Sequence, residues 1–171
     1  MTIDTAKIAE EIKRGEFLPA LHYEEVLCAT YVGKIKAKER ARSGKGGRMF
    51  TPKETREFES AVKAWGTSLA VPPVAYPIRV LVTVYEGTLS EEQIEASKLG
   101  LRYNEKGDID NLAKSILDGL NGVVYKDDKQ ISELTLQRRW AETEGFRIRI
   151  WRNGLTKLEY ENVMKRVRFS K

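Results

Sequence analysis

Aspartates recur between residues 108 and 128 at spacings that suit metal chemistry. Asp108 and Asp110 are separated by one residue at the predicted junction of a loop and a helix, and Asp127 and Asp128 follow on the turn after that helix. In an extended backbone, side chains two positions apart point the same way, and carboxylates are the ligands that hard divalent cations prefer. The Asp108–Asp110 pair therefore predicts a metal site. The alternative is a helix cap, since aspartate accepts hydrogen bonds from the free N–H groups at a helix start.

A lysine stands on the same predicted helix face as two of these acids. Asp110, Lys114 and Asp118 recur every fourth residue, so their side chains are neighbours. One interpretation is a row of surface ion pairs, each contributing little to stability. The other is that Lys114 offers its ammonium group to a phosphate or to a leaving oxygen. In phosphodiester hydrolysis a metal polarises the phosphoryl group and lowers the pKa of the attacking water, and a positioned lysine adds charge stabilisation.

The composition restricts which metal such a site could hold. With one histidine and one cysteine, Cys28, the chain cannot form a zinc site of nitrogen and sulfur ligands. Oxygen ligands point to magnesium, manganese or calcium. A single cysteine also excludes an internal disulfide and is typical of a reducing cytosol. No apolar run approaches the ~20 residues that a bilayer-spanning helix needs, and the first residues carry no apolar secretion signal.

The positive charge of the chain is concentrated in one segment. The net charge is +5, and residues 34–48, here the basic segment, contain one acid, Glu39, and seven cations. From residue 34 to 42 the cations occupy every second position, so an extended chain would present them on one face. The segment predicts a surface that neutralises DNA phosphates, with a solvated basic loop as the alternative. The predicted DNA-binding residues are Lys34, Lys36, Lys38, Arg40, Arg42, Lys45 and Arg48.

Hydrophobic patterning predicts an α+β fold, a single small domain with a mixed β-sheet covered by two or three helices. For Asp128 to meet Asp108, the segment after the helix at 111–120 must run back along a helix about 15 Å long. Helices are predicted at residues 4–14, from Pro52 to Gly66, at 88–99 and at 111–120, and strands at 22–31, 79–85, 123–125, 131–140 and 146–151, before a charged tail from residue 157.

The stretch DIDNLAKSILDGLNGVVYKDDKQI, from Asp108 to Ile131, resembles the signature of the RusA-type Holliday-junction resolvases of bacteria and their phages. That signature is an Asp-x-Asp-Asn-Leu-x-Lys helix start, a helix ending near Asn-Gly, and an Asp-Asp-x-Gln-Ile turn. The segment from Arg48 to Phe58 is also similar to the family. A weaker similarity extends from Lys34 to Trp151.

The resemblance implies a RusA-like homodimer that binds four-way DNA junctions and nicks two opposing strands in recombination and repair. It implies Mg²⁺ as the cofactor, with Mn²⁺ as a substitute, and neither an organic cofactor nor a membrane partner. A cytoplasmic, nucleoid-associated protein of a bacterium or phage is expected. Carried over to this sequence, the catalytic residues are Asp108, Asp110, Lys114 and Asp128, and the metal ligands are Asp108, Asp110 and Asp128, with Asp127 as a supporting or alternative ligand.

The chain also departs from the family pattern. Residues 1–33 are interpreted as an N-terminal extension with the first strand, residues 34–156 as the endonuclease domain, and residues 157–171 as a charged tail. Residues 87–104 form an apparent insertion before the first aspartate. Two alternative functions stay open: a nuclease acting on another branched nucleic acid, and a DNA-binding module that does not cut. The complete set of four aspartates and Lys114 argues against the second alternative.

Overall fold

A four-stranded mixed sheet forms the centre of the computed structural model, which describes residues 4–14, 24–43, 49–87, 90–99 and 107–168. The strands are β1 (Glu25–Val32), β2 (Arg42–Ser43), β3 (Met49–Phe50), β4 (Ile78–Glu86), β5 (Ile131–Trp140) and β6 (Gly145–Arg152). The helices are α1 (Thr5–Lys13), α2 (Lys53–Ser68), α3 (Glu91–Lys98), α4 (Ile109–Leu120) and α5 (Lys157–Arg168), with a 3₁₀ turn at Asp128–Gln130. Within these ranges, no helix is long and apolar enough to cross a bilayer.

The strand order explains how α4 reaches the sheet. The order is β1-β6-β4-β5, in which β6 runs antiparallel to both of its neighbours and β5 runs parallel to β4. Parallel neighbours require a crossover connection, and here the connection contains α3 and α4. The α+β prediction with a mixed sheet is therefore confirmed. β2 and β3 pair with each other as a separate two-stranded ribbon.

The core lies between one face of the sheet and the pair α2–α4. Alternate residues of β4, namely Val80, Val82 and Val84, are almost completely buried, as period-two alternation requires of a strand with one covered face. Leu112 and Ile116 of α4 are buried in the same cluster. The helix face that carries them packs on the sheet, so the opposite face of α4 can carry polar and charged side chains.

Two local predictions were wrong. Gly66 does not end α2, which continues to Ser68; a Cβ on Gly66 would lie 2.9 Å from Leu120 Cδ2, so this glycine permits close packing of α2 on α4. Residues 123–125 do not form a strand: Tyr125 forms isolated bridges with Val74 and Asn121 within a turn. The strand predicted from His22 begins at Glu25, and His22 lies outside the described residues.

The two terminal helices pack on each other in a second, smaller cluster. Ile8 and Ala9 of α1 and Val163 of α5 are buried there. Arg152, at the end of β6, donates a hydrogen bond to Glu159 and joins α5 to the sheet. β1 pairs with β6 from Glu25 to Val32 and is an integral strand of the sheet. The domain boundaries at residues 33 and 156 stay predictions.

Candidate active site

Asp108 occupies the N-cap position of α4 without acting as a cap. Its backbone is extended, with φ −72° and ψ 143°, yet its carboxylate accepts no hydrogen bond from the helix N–H groups. The cap interpretation is therefore wrong for this residue. Gly107 precedes it with φ +87°, in the left-handed region that favours glycine, and turns the chain into the helix. Asp108 is exposed, and its carboxylate has no hydrogen-bond partner among the described residues.

Asp108 and Asp110 border two different concavities of the surface. Because α4 begins at Ile109, the backbone is helical from Ile109 onward, and Asp108 itself is extended. Asp108 borders a concavity formed with Ile35–Glu39 and Asn111. Asp110 borders another, shared with Asp128. The expectation of an extended backbone through both aspartates is wrong, because Asp110 already belongs to α4; a shared metal site for their carboxylates stays a prediction.

The concavity that Asp110 borders, here called the carboxylate concavity, contains three of the four predicted catalytic residues. Its acids are Asp110 and Asp118 of α4 and Asp128 of the 3₁₀ turn, and Lys114 lies among them. Asp110, Lys114 and Asp128 are exposed. Within the described ranges, Lys114 forms no ion pair with the acids one turn away on either side, so its ammonium group is available to a ligand. The lining is completed by Ala113, Leu117, Ile131, Leu134 and Leu136.

The turn that carries Asp128 is held by its neighbour Asp127. The Asp127 carboxylate accepts a hydrogen bond from the backbone N–H of Lys129 at 2.9 Å, and the Gln130 side chain accepts one from the Asp127 N–H at 2.9 Å. This is a reciprocal capping box. The hydrogen bond that the Lys129 N–H donates, together with a smaller contribution from the Asp128 side chain, holds the pKa of Asp127 below its usual range. Asp127 is therefore engaged in the turn, whereas Asp128 points into the carboxylate concavity.

Two further contacts fix this turn against the rest of the fold. The Tyr125 hydroxyl donates to the Leu117 carbonyl of α4 at 2.6 Å. Its burial raises the pKa of this phenol, so the hydroxyl stays a donor. The Gln130 amide donates to the carbonyls of Val74 and Tyr76 at 3.1 and 2.9 Å. Together they hold the returning chain so that Asp128 borders the same concavity as Asp110.

The donor set suits magnesium through two carboxylates. Among the residues that the structure describes, no three His, Cys, Asp or Glu side chains are grouped closely enough to hold a metal ion. Asp110 and Asp128 do border one concavity. Magnesium commonly binds proteins through one or two carboxylates and completes its shell with water and phosphate oxygens. The chemistry of this pair therefore fits such an ion.

The basic segment is tied to the neighbouring helices by ion pairs. Residues 34–41 form no strand, and Ile35 is buried in the core, so the expected continuous positive face is interrupted. The ammonium group of Lys36 lies 2.8 Å from Glu39 and 2.5 Å from Glu54. Hydrogen bonds to Glu39 and Glu54 raise the pKa of Lys36.

Lys38 connects the basic segment to the carboxylate concavity. Its ammonium group lies 2.9 Å from Glu59 of α2 and pairs with Asp118 of α4. Burial lowers the pKa of Lys38, but the bonds to Asp118 and Glu59 outweigh burial and raise it overall. Its backbone N–H donates to the Asn111 carbonyl at 2.9 Å. Lys38 therefore neutralises one acid of the concavity.

Other predicted DNA-binding residues differ in their surroundings. Lys34 and Arg40 are exposed, with no ionic partner among the described residues. Arg42 contributes its backbone to β2, and its side chain, Lys45 and Arg48 lie outside the described parts of the chain. DNA contact by these residues stays a prediction.

Sequence reasoning missed a buried ion pair beside Asp108. Arg138 Nε lies 3.5 Å from Glu86 Oε1, and both side chains are 6% exposed. Arg138 also donates to the Gly107 carbonyl, directly before Asp108. A signal was present: Arg138 follows Leu134 and Leu136 at the inward-facing positions of β5, where a charged residue requires a partner.

The carboxylate concavity combines acids with a lysine, and it lies on a basic α+β domain. This combination is typical of the class of proteins that act on phosphodiesters with a divalent ion. A family model described as "Endodeoxyribonuclease RusA" matches residues 32–151, from the end of β1 to the end of β6. The chain belongs to this RusA endodeoxyribonuclease family, which confirms the resemblance of its aspartate motif. It is also 32% identical over 72 residues to "Uncharacterized protein YqaN" of Bacillus subtilis (strain 168). That alignment covers 39% of this chain and 51%, about half, of the relative.

Proposed function

We propose that this protein is a Mg²⁺-dependent, structure-selective DNA endonuclease that resolves four-way junctions by paired nicks. The observation that carries the proposal is the placement of Asp110, Lys114 and Asp128 around one open concavity. Membership of an endodeoxyribonuclease family supports DNA as the substrate.

Asp110 and Asp128 would hold the metal ion, with Mn²⁺ as a substitute for Mg²⁺. Asp108 is proposed as a third ligand because its exposed carboxylate accepts no hydrogen bond at the helix start. Asp127 is placed outside the set, since its carboxylate caps the 3₁₀ turn. When bound, the ion polarises the phosphoryl group and lowers the pKa of the attacking water.

Lys114 would stabilise the negative charge that develops on the scissile phosphate. It lies one turn of α4 beyond Asp110, and its ammonium group has no competing ion pair within the described residues. Losing one such positioned charge typically lowers a rate by about 10²–10³. Asp118 has a different role, since its carboxylate is neutralised by Lys38. That pair reduces the negative charge that an approaching phosphate meets.

A homodimer would make the two nicks symmetric. A two-fold dimer presents two identical sites, and a four-way junction offers two equivalent strands. The dimer is part of the proposal, and sedimentation of the purified chain with and without junction DNA measures it.

A cleavage assay on three labelled substrates tests the proposal: a four-way junction, a Y-fork and a linear duplex. We expect nicks in the junction with Mg²⁺ and binding without nicks in EDTA. A preference for the Y-fork would indicate a nuclease for another branched nucleic acid. Intact substrates with every divalent metal tried would leave a DNA-binding module that does not cut and would overturn the proposal.

Neighbouring aspartates provide a matched pair of variants. Asp128→Asn should abolish nicking and spare binding, because it removes a proposed ligand. Asp127→Asn should keep most activity, because asparagine is also a good cap. Lys114→Met should lower the nicking rate and leave the affinity for metal unchanged. Equal loss of activity in the two aspartate variants would contradict the assignment, provided that thermal melting shows both to be folded.

A further inference from the structure

The face of the sheet that points away from α2 and α4 is polar and rich in arginine. Its residues alternate along the strands with those of the inner face, and they include Thr83, which is 8% exposed, Thr135 and Gln137, together with Leu81 and Tyr85. We define the arginine face by its four arginines and one tryptophan, which lie on three adjacent strands: Arg79, Arg139, Arg147, Arg149 and Trp151.

Strand register places these side chains side by side. Arg79 of β4 is opposite Trp151 of β6. The guanidinium of Arg149 lies 4.7 Å from the centroid of the Trp151 ring, and that of Arg79 lies 5.5 Å from it. Cation–π contacts of this kind restrict the arginine side chains. Two guanidinium groups are therefore preorganised on one aromatic platform.

The acids on this face do not balance its arginines. Glu25 pairs with Arg149, and Glu133 lies 3.2 Å from Arg79 Nε. Both acids belong to edge strands of the sheet. Arg139 and Arg147 are the two arginines of this face without an acidic partner among the described residues.

Arg139 and Arg147 are exposed and have no acidic partner among the described residues. Arg147 donates to the Thr30 hydroxyl at 3.2 Å, and Arg139 to the carbonyl of its neighbour Arg138 at 3.0 Å. The two lie on strands separated by β4 and are offset by two residues in register, so their Cα atoms are roughly 12 Å apart by the usual strand spacing and rise. They can reach different phosphates of one backbone.

We propose that the arginine face binds the phosphate backbone of DNA, separately from the basic segment. The inference rests on the proposed function in taking DNA as the substrate. Guanidinium groups match phosphate oxygens in pairs, and the positive balance suits a polyanion. A second copy docked on this face across a two-fold axis would bring arginines against arginines, which disfavours a second copy as the occupant.

The test uses the full-length chain, with EDTA present so that no cutting occurs. The double variant Arg139→Gln/Arg147→Gln removes the two arginines without acidic partners. The control Lys165→Gln/Arg168→Gln removes the same charge from the exposed last turn of α5. Fluorescence anisotropy measures Kd for a labelled four-way junction over a range of NaCl concentrations. Sedimentation of the same samples reports their oligomeric state.

We expect the arginine variant to bind about tenfold more weakly, with a salt slope lower by about 1 to 2, since each phosphate contact contributes roughly 0.9. The control should stay close to the wild type. Equal behaviour of the two variants overturns the inference, as does a changed oligomeric state with unchanged DNA affinity. Wild-type protein that binds through these arginines but never nicks would remove the proposed function and leave the inference standing.

Discussion

Replacing Arg138 by methionine tests how far the fold depends on its buried ion pair. The substitution keeps the apolar stem and removes the charge, which leaves the Glu86 carboxylate buried without a cation and the Gly107 carbonyl without its donor. Both side chains are 6% exposed, so solvent screens the pair little. Breaking a buried pair by removing one partner costs about 3–5 kcal/mol. We expect the free energy of unfolding to fall by about that much, a large share of the 5–15 kcal/mol typical of a domain.

Urea denaturation followed by tryptophan fluorescence and circular dichroism measures this loss. Arg139→Met is the matched control, because the neighbouring arginine is exposed and should change stability by no more than about 0.5 kcal/mol. The double variant Glu86→Leu/Arg138→Met should recover part of the loss, since an apolar pair leaves no charge buried. A loss below about 1 kcal/mol for Arg138→Met would refute the reasoning. If the loss in the double variant equals the sum of the losses in Glu86→Leu and Arg138→Met, the reasoning is refuted as well, because additivity means that the two side chains do not interact.

Two further predictions concern packing and pH. Gly119→Ala should destabilise the fold by about 1–3 kcal/mol, since the added Cβ would lie 2.8 Å from Val62 Cβ between α2 and α4; an unchanged melting temperature would contradict this. Burial raises the pKa of Glu159, but hydrogen bonds from Thr156 outweigh it and lower the pKa overall. The stabilisation from Glu159 should therefore be present above pH ~4.3 and lost as pH falls through the lowered value. Melting curves of wild type and Glu159→Gln should converge in acid, and a constant difference down to pH 3 would contradict this.

Much of the fold could be predicted from local sequence signals. The strand at Ile131–Trp140 and the helix ending at Leu120 were predicted from β-branched alternation and from apolar spacing. The sequence also predicts that the chain turns back after α4, and Asp128 does border one concavity with Asp110 of that helix. The predicted meeting of Asp128 with Asp108 stays a prediction. These features depend on residues close together in the sequence, and the periodicity of apolar residues indicates them directly.

Features that depend on distant partners could not be predicted in this way. The sequence predicts Lys38 as one of several DNA-binding cations. Its ion-pair partners, Glu59 and Asp118, lie on two separate helices, so local spacing gives no sign of them. The backbone conformation between Asp108 and Asp110 depends on where α4 begins, and helix boundaries shift by a residue or two with tertiary contacts. Gly66 was predicted to end a helix, because local spacing cannot show that Leu120 of α4 packs closely against this glycine.

The pairing of β1 with β6 has a consequence for folding kinetics. Glu25 and Arg149, joined across these strands, are 124 positions apart in the chain, and Ser132 bonds to Ile78 across 54 positions. Such non-local contacts must overcome loop-closure entropy before they add stability, so chains rich in them fold in milliseconds to seconds. The turn that carries Asp128 follows the crossover and precedes β5 directly. During refolding, helical signal should therefore return before the carboxylates meet, and nuclease activity should reappear only with the closed sheet.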